Sequence, residues 1–167
     1  RRIVRETGVT AADHVMEVGP GLGSLTLAIL ETGATMTAVE IDPPLAARLP
    51  GTVAEFMPEA TSRLTVVNRD ALTVTPENVP DFSDDASFTL VANLPYNVAT
   101  PILLTLLERF DNLGSFLVMV QKEVAHRICA KAGTADYGAF SVYCQYHARP
   151  SIVLDVPAGC FIPAPKV

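Results

Sequence analysis

Three glycines at alternate positions, Gly19, Gly21 and Gly23, lie between a short apolar run, His14 to Val18, and a segment whose apolar residues recur at helical spacing. That order reads as strand, tight loop and helix. Glycine accepts positive φ and has no Cβ, so a ligand can approach the backbone of such a loop closely. A dinucleotide fingerprint, GxGxxG, would need its third glycine where Ser24 stands, and the match fails by one residue. Glu17 closes the preceding strand, where its carboxylate would repel a pyrophosphate but suit a cation. S-adenosylmethionine carries a sulfonium and an ammonium, so Glu17, Gly19 and Gly21 read as its cradle. An ordinary tight turn is the plain alternative for the glycines.

Further chemistry sits at the ends of later apolar runs. Glu40, in AVEID, follows Gly19 by 21 residues, and its carboxylate can accept bonds from both hydroxyls of a ribose. Asp42 is better placed than Glu40 to cap the next helix. Asp70, in NRDAL, can accept from an adenine amino group with Ala71 and Leu72 beside the ring, or it can be a simple turn aspartate. Nicotinamide enzymes also place an acid after the second strand, so Glu40 does not decide between cofactors.

The tetrapeptide Asn93-Leu94-Pro95-Tyr96 does. An exocyclic adenine amine is a poor nucleophile because its lone pair is delocalised into the ring. The Asn93 side-chain oxygen and the Leu94 carbonyl could accept both of its N–H bonds and turn the lone pair toward a sulfonium methyl. Pro95 restricts Leu94 to extended conformations and so fixes where that carbonyl points. Tyr96 offers an aromatic face to the base. A strand end followed by an ordinary turn is the bland reading of the same residues.

These residues need a scaffold, and the chain alternates to supply one. The pattern predicts a helix at 2–7, strands at 14–18, 35–40, 63–68, 87–92 and 115–120, and a last strand at 152–156. Helices are predicted at 24–31, 99–110 and 122–130, and one more through Tyr143. A helix starting at Pro43 is expected to break at Pro50 and Gly51 before a second piece ending near Ala60. The proline- and acid-rich stretch 75–85 reads as a solvated loop. Alternating β and α segments with near-continuous apolar strands predict an α/β fold, a mostly parallel sheet covered on both faces, with ligands beyond the strands' carboxyl ends.

Composition narrows the class. A chain of 167 residues with 49% apolar content supports one domain with a core. No apolar run approaches the roughly 18 residues of a membrane span, and RRIVRETG lacks the apolar centre of a signal peptide, so a cytoplasmic protein is expected. Cys129, Cys144 and Cys160 fall at no metal-ligand spacing; no metal is expected, and the three read as reduced packing residues. The net charge of -6 argues against a free-standing nucleic-acid binder. Lys122, His126 and Arg127 could meet phosphates or form a solvated helix face, whereas Tyr137, Phe140, Tyr143 and Tyr146 read as packing residues.

Taken together, EVGPGLGSLT, AVEID, NRDAL, VANLPYN, MVQKEVAHRI, YGAFSVYCQYH and FIPAPKV resemble, in that order, the ribosomal small-subunit RNA adenine dimethyltransferase family. The resemblance covers nearly the whole chain and implies a Rossmann-like class I methyltransferase fold. It implies S-adenosylmethionine as methyl donor and two adjacent adenosines near the 3′ end of small-subunit ribosomal RNA, within a pre-ribosomal subunit, as substrate. It further implies cofactor contacts at Gly19, Glu40, Ile41, Asp70 and Ala71, and an Asn93 touching both cofactor and target amine. Tyr96 would stack on the target base, with Phe161 as its second aromatic wall. The family's N-terminal lid, final antiparallel strand and C-terminal helical domain have no counterpart in 1–167, which is expected to be the catalytic part of a monomeric enzyme. A large-subunit RNA methyltransferase of the resistance type and a non-catalytic RNA-binding factor on the same fold are the alternatives.

Overall fold

The structure, a computed structural model, describes residues 1–82 and 86–160. Five strands, β1 (His14–Val18), β2 (Thr35–Glu40), β3 (Leu64–Asn68), β4 (Phe88–Asn93) and β5 (Leu113–Met119), form one parallel sheet in the order β3-β2-β1-β4-β5. The chain runs outward from β1 to β3, then returns to the other side of β1 as β4. Strand order therefore reverses between β1 and β4, where a crevice opens at the carboxyl ends of a parallel sheet. These five strands are all predicted by the sequence, with ends shifted by up to two residues.

Four helices accompany the sheet within residues 1–119: α1 (Arg2–Thr7), α2 (Ser24–Leu30), α3 (Pro43–Phe56) and α4 (Ala99–Arg109). One sheet face carries Val15, Met36, Ala38 and Val91, which pack with Ile29 and Leu30 of α2 and Leu49 and Val53 of α3. Strand side chains alternate between faces. Glu17, next to last in β1, and Glu40, Asn68 and Asn93, which end β2, β3 and β4, each lie two residues beyond an apolar member of this layer (Val15, Ala38, Val66, Val91) and so on the same face.

Three expectations are corrected here. Pro50 and Gly51 do not break α3, which is continuous and is followed by a 3-10 segment, Pro58–Arg63. Pro50 removes one helical N–H, the one that would meet the Ala46 carbonyl, and costs the helix that single bond. Ala46, Leu49 and Val53 hold the two halves on one buried stripe. The stretch 75–82 is not simply solvated, because Val79 and Phe82 are buried and Phe82 packs edge-on against His14 and Phe110. Asp81 accepts a 2.6 Å bond from the buried Thr37 hydroxyl. Finally, 151–157 form no strand: a strand needs a ladder partner, none hydrogen-bonds to them among the described residues, and Ile152 and Val153 are exposed.

The described residues from 120 to 160 belong to a second compact unit. Here α5 (Lys122–Ile128) and α6 (Ala139–His147) are tied by Gln145, whose amide donates to the Ile128 and Ala130 carbonyls at 2.9 and 2.8 Å. The Arg127 guanidinium lies 5.5 Å from the buried Phe140 ring, and exposed Lys122 pairs with Asp155. Cys144 is buried as expected, but Cys160 and Tyr146 are exposed and pack little. Among the described residues no helix is long and apolar enough to cross a membrane.

Arg63 closes the layer beside β3. Its guanidinium donates at 2.9 Å to the carbonyls of Leu30 and Ala34, which the end of α2 and the following turn leave without helical partners. Arg63→Met keeps most of the aliphatic packing, leaves the Leu30 carbonyl with the Gly33 amide alone and takes the Arg63 donor away from the Ala34 carbonyl. It should lower unfolding free energy by about 1.5–3 kcal/mol, the scale for hydrogen bonds to a charged group. Urea denaturation should show a lower midpoint at unchanged slope.

Candidate active site

The glycine loop is built by backbone conformation and held by one carboxylate. Gly19, Gly21 and Gly23 all adopt positive φ, at 70°, 55° and 93°, which turns the chain sharply from β1 into α2. The Gly19 amide donates to the Val39 carbonyl at 2.9 Å, pinning the start of the loop to β2. The Gly21 amide donates to Glu40 Oε2 at 3.1 Å, while Glu40 Oε1 accepts from the Asp42 amide at 3.0 Å. An ionised carboxylate has about four acceptor positions. Two are used here, and further positions remain for hydroxyl donors.

Two residues unremarked in the sequence support this corner. Asn68, ending β3, donates to the Glu40 and Ile41 carbonyls at 2.7 and 3.2 Å and fixes the chain leaving β2. Arg109, ending α4, donates at 3.0 Å to the carbonyls of Leu72 and Val74 and holds the segment after Asp70. Sequence gave no signal for Arg109, since an arginine in a last helical turn has an ordinary reason to be there. Asp70 caps a 3-10 turn, Ala71–Thr73, by accepting from the Leu72 amide at 2.9 Å. Asp42 caps α3 through the Leu45 amide at 3.0 Å, as its position suggested.

Glu17 differs from its expected role. It is 1% exposed, and its Oε2 accepts a 2.6 Å bond from Thr26 of α2, itself fully buried. Burial pushes the Glu17 carboxyl up to about 8; the Thr26 bond opposes the rise and the neighbouring Glu40 adds to it. Glu17 is therefore mostly a neutral acid at pH 7 rather than a standing counter-charge. Thr26, two residues into α2 beyond its first residue, is a partner that spacing alone did not reveal.

Across the crevice, β4 ends at Asn93, which is exposed and whose side chain has no hydrogen-bond partner among the described residues. Leu94 is 1% exposed, and its amide donates to the Met119 carbonyl at 3.1 Å. No described residue donates to the Leu94 carbonyl. The Pro95 carbonyl accepts from Val98 at 3.2 Å, which starts α4, and Tyr96 is half-buried. A Cβ built on Gly19 would lie 3.9 Å from the Pro95 ring, so the glycine loop and the tetrapeptide line the same crevice. A Cβ on Gly21 would meet nothing within 4 Å, which leaves the floor of the loop open.

Most of the predicted residues thus converge at the reversal of strand order, with Asp70 and Ala71 following β3. Ala71 is buried within its turn, whereas Ile41 is 64% exposed beside Glu40. Phe161 lies outside the described residues. The residues present fit S-adenosylmethionine by their chemistry: an open glycine loop, a carboxylate with acceptor positions to spare for a ribose, and an exposed apolar side chain for a purine.

Comparison with protein-family models matches residues 1–167 to ribosomal RNA adenine dimethylase. The ribosomal RNA small subunit methyltransferase A of Bifidobacterium longum subsp. infantis is 82% identical over 167 residues, covering all of this chain and 54% of that protein. The chain spans about half the length of the curated relatives it matches. Among solved structures, a dimethyladenosine transferase from Plasmodium falciparum shares the fold at a TM-score of 0.81 and 23% identity, covering 99% of this chain and 56% of that one. The 23S rRNA methyltransferase ErmE gives a TM-score of 0.62 and 26% identity, covering 79% of this chain and 49% of its own. With residues 1–167 all matched, the chain belongs to the ribosomal RNA adenine dimethylase family.

Proposed function

We propose that this chain is the catalytic core of an enzyme that dimethylates N6 of two adjacent adenosines near the 3′ end of small-subunit ribosomal RNA, acting as a cytoplasmic monomer on a pre-ribosomal subunit. The observation that carries the reading is the meeting of the Gly19 loop with Pro95 where strand order reverses, with Glu40 and Asn93 ending their strands on one face. Small-subunit RNA is favoured over large-subunit RNA by the 82% identical relative and by the fuller overlap with the dimethyladenosine transferase.

S-adenosylmethionine, bound along the glycine loop, supplies an electrophilic methyl group on a positively charged sulfur. Glu40 would accept the ribose hydroxyls with the positions that Gly21 and Asp42 leave free, Ile41 would cover one face of the adenine, and Asp70 would accept from its amino group. Asn93 Oδ1 and the Leu94 carbonyl accept the two N–H bonds of the target amine. That geometry withdraws the nitrogen lone pair from the ring and directs it at the methyl carbon. A methyl donor held there would give up its methyl as the N–C bond formed and the S–C bond broke, and the methylated amine would lose its proton to solvent or to one of the carbonyl acceptors, so that no strong base would be required. Buried Leu94, restricted to extended conformations by Pro95, keeps its carbonyl in place.

Two outcomes test the reading. Glu40→Ala should weaken S-adenosylmethionine binding by about 1.5–3 kcal/mol, as measured by calorimetry. Because Glu40 also holds the Gly21 amide, an unfolding midpoint should accompany the measurement; unchanged affinity in the folded variant removes the ribose assignment. Asn93→Ala should cut single-turnover methylation of small ribosomal subunits by about 10² to 10³, with a much smaller change in cofactor affinity. Near wild-type turnover by folded Asn93→Ala would sink the mechanism.

A further inference from the structure

The mechanism above leaves one buried ionisable group unused. Glu17 lies beneath the glycine loop at 1% exposure, and the one hydrogen bond recorded to its carboxyl among the described residues is the 2.6 Å bond from Thr26. Neither ion pair among the described residues, Arg1–Glu31 or Lys122–Asp155, involves it. A carboxyl out of water with no cation beside it keeps its proton, since isolated charge is costly to bury.

The surroundings offer nothing that would reverse this. From β2, Glu40 brings a second carboxylate to the same face. The packed helix α2, SLTLAIL, and the strand β4, FTLVAN, contain no titratable residue. On α3, Arg48 and Glu55 are exposed. A cation must therefore arrive from outside, and the glycine loop that begins two residues after Glu17 is where a cationic ligand would settle.

We propose that Glu17 is a proton-linked positioning residue of the cofactor site: buried as a neutral acid against Thr26, it ionises when a cationic methyl donor occupies the glycine loop, and its proton passes to solvent. The inference rests on the cofactor reading above. It gives the site a preference for a positively charged donor over the neutral thioether product, because only a cation stabilises the ionised form. The pKa of about 8 agrees with a group protonated at neutral pH and able to lose its proton to a modest electrostatic change.

Linkage fixes the sign. A site that releases a proton on binding gains affinity as pH rises, by up to about tenfold per pH unit, and levels off once the free group is ionised, above about pH 8. The ligand's own α-amino group titrates in a similar range and acts in the opposite direction. Glu17→Gln is the control, since it keeps an acceptor for Thr26 and cannot ionise, while the ligand's amine contributes equally to both proteins.

Calorimetry of S-adenosylmethionine binding in buffers of different ionisation enthalpy reads the protons directly. At pH 7 the wild type should release about 0.5–0.9 more protons per ligand than Glu17→Gln. S-adenosylhomocysteine, without the sulfonium, should show a smaller difference. The infrared difference spectrum of the wild type should lose a protonated carboxylic C=O band on binding. Equal proton release by the two proteins, or a carboxylic band that persists in the complex, overturns the inference while leaving the cofactor reading standing. Absence of saturable binding by the wild type overturns both. Should Glu17→Gln fail to fold, Thr26→Val removes the one bond that favours ionisation, and the rise of affinity should move to higher pH; an unmoved profile overturns the proposal.

Discussion

The Glu40 carboxylate joins two parts of the chain 19 residues apart, with one oxygen on the Gly21 amide and the other on the Asp42 amide. A glycine loop in positive φ has little conformational preference of its own and needs such a restraint to hold one shape. Glu40 supplies it from the neighbouring strand, and Asn68 and the Val39 carbonyl fix the backbone on either side. The same carboxylate that shapes the loop is thus the group best placed to recognise a ligand lying on it. Loop geometry therefore depends on one side chain that is itself 5% exposed.

A second carboxyl, Glu17, lies next to last in the adjacent strand on the same face and is kept out of water with a hydroxyl for company. Two carboxyl groups close together at the mouth of a parallel sheet would be unfavourable if both were charged. Their environments differ: Glu40 takes two backbone amides, and Glu17 takes one hydroxyl and almost no solvent. The crevice is held in an acceptor-rich arrangement that a cation would complete. On the far side, Asn93 and the Leu94 carbonyl add further acceptors, oriented by a buried leucine and a proline and requiring no charge. The methyl transfer proposed above, to an amine that donates rather than accepts, would use this arrangement.

The path of the chain shows tertiary packing overriding local signals. Pro50-Gly51 is a strong breaker pair, yet α3 passes through it, because Leu49 and Val53 are worth more buried on one stripe than the single helical bond that Pro50 forfeits. The acid-rich stretch after Thr75 is likewise drawn in by Val79 and Phe82.

The order of elements was legible from sequence because a doubly covered parallel sheet demands near-continuous apolar strands at regular intervals, and His14–Val18, Thr35–Glu40 and their successors satisfy that locally. The candidate site residues could be picked out as well, because glycines, strand-end acids and the Asn93–Tyr96 tetrapeptide each carry a chemical reading beside the ordinary turn. Side-chain partnership was not. That Glu17 would be sealed against Thr26, that Glu40 would hold Gly21, and that Arg109 would reach back to Leu72 and Val74 follow from distances between segments up to 37 residues apart. Residue type and spacing constrain which face a side chain takes along its own element; its charge state and its partners are set by what the fold brings beside it, because desolvation and hydrogen bonding act through space.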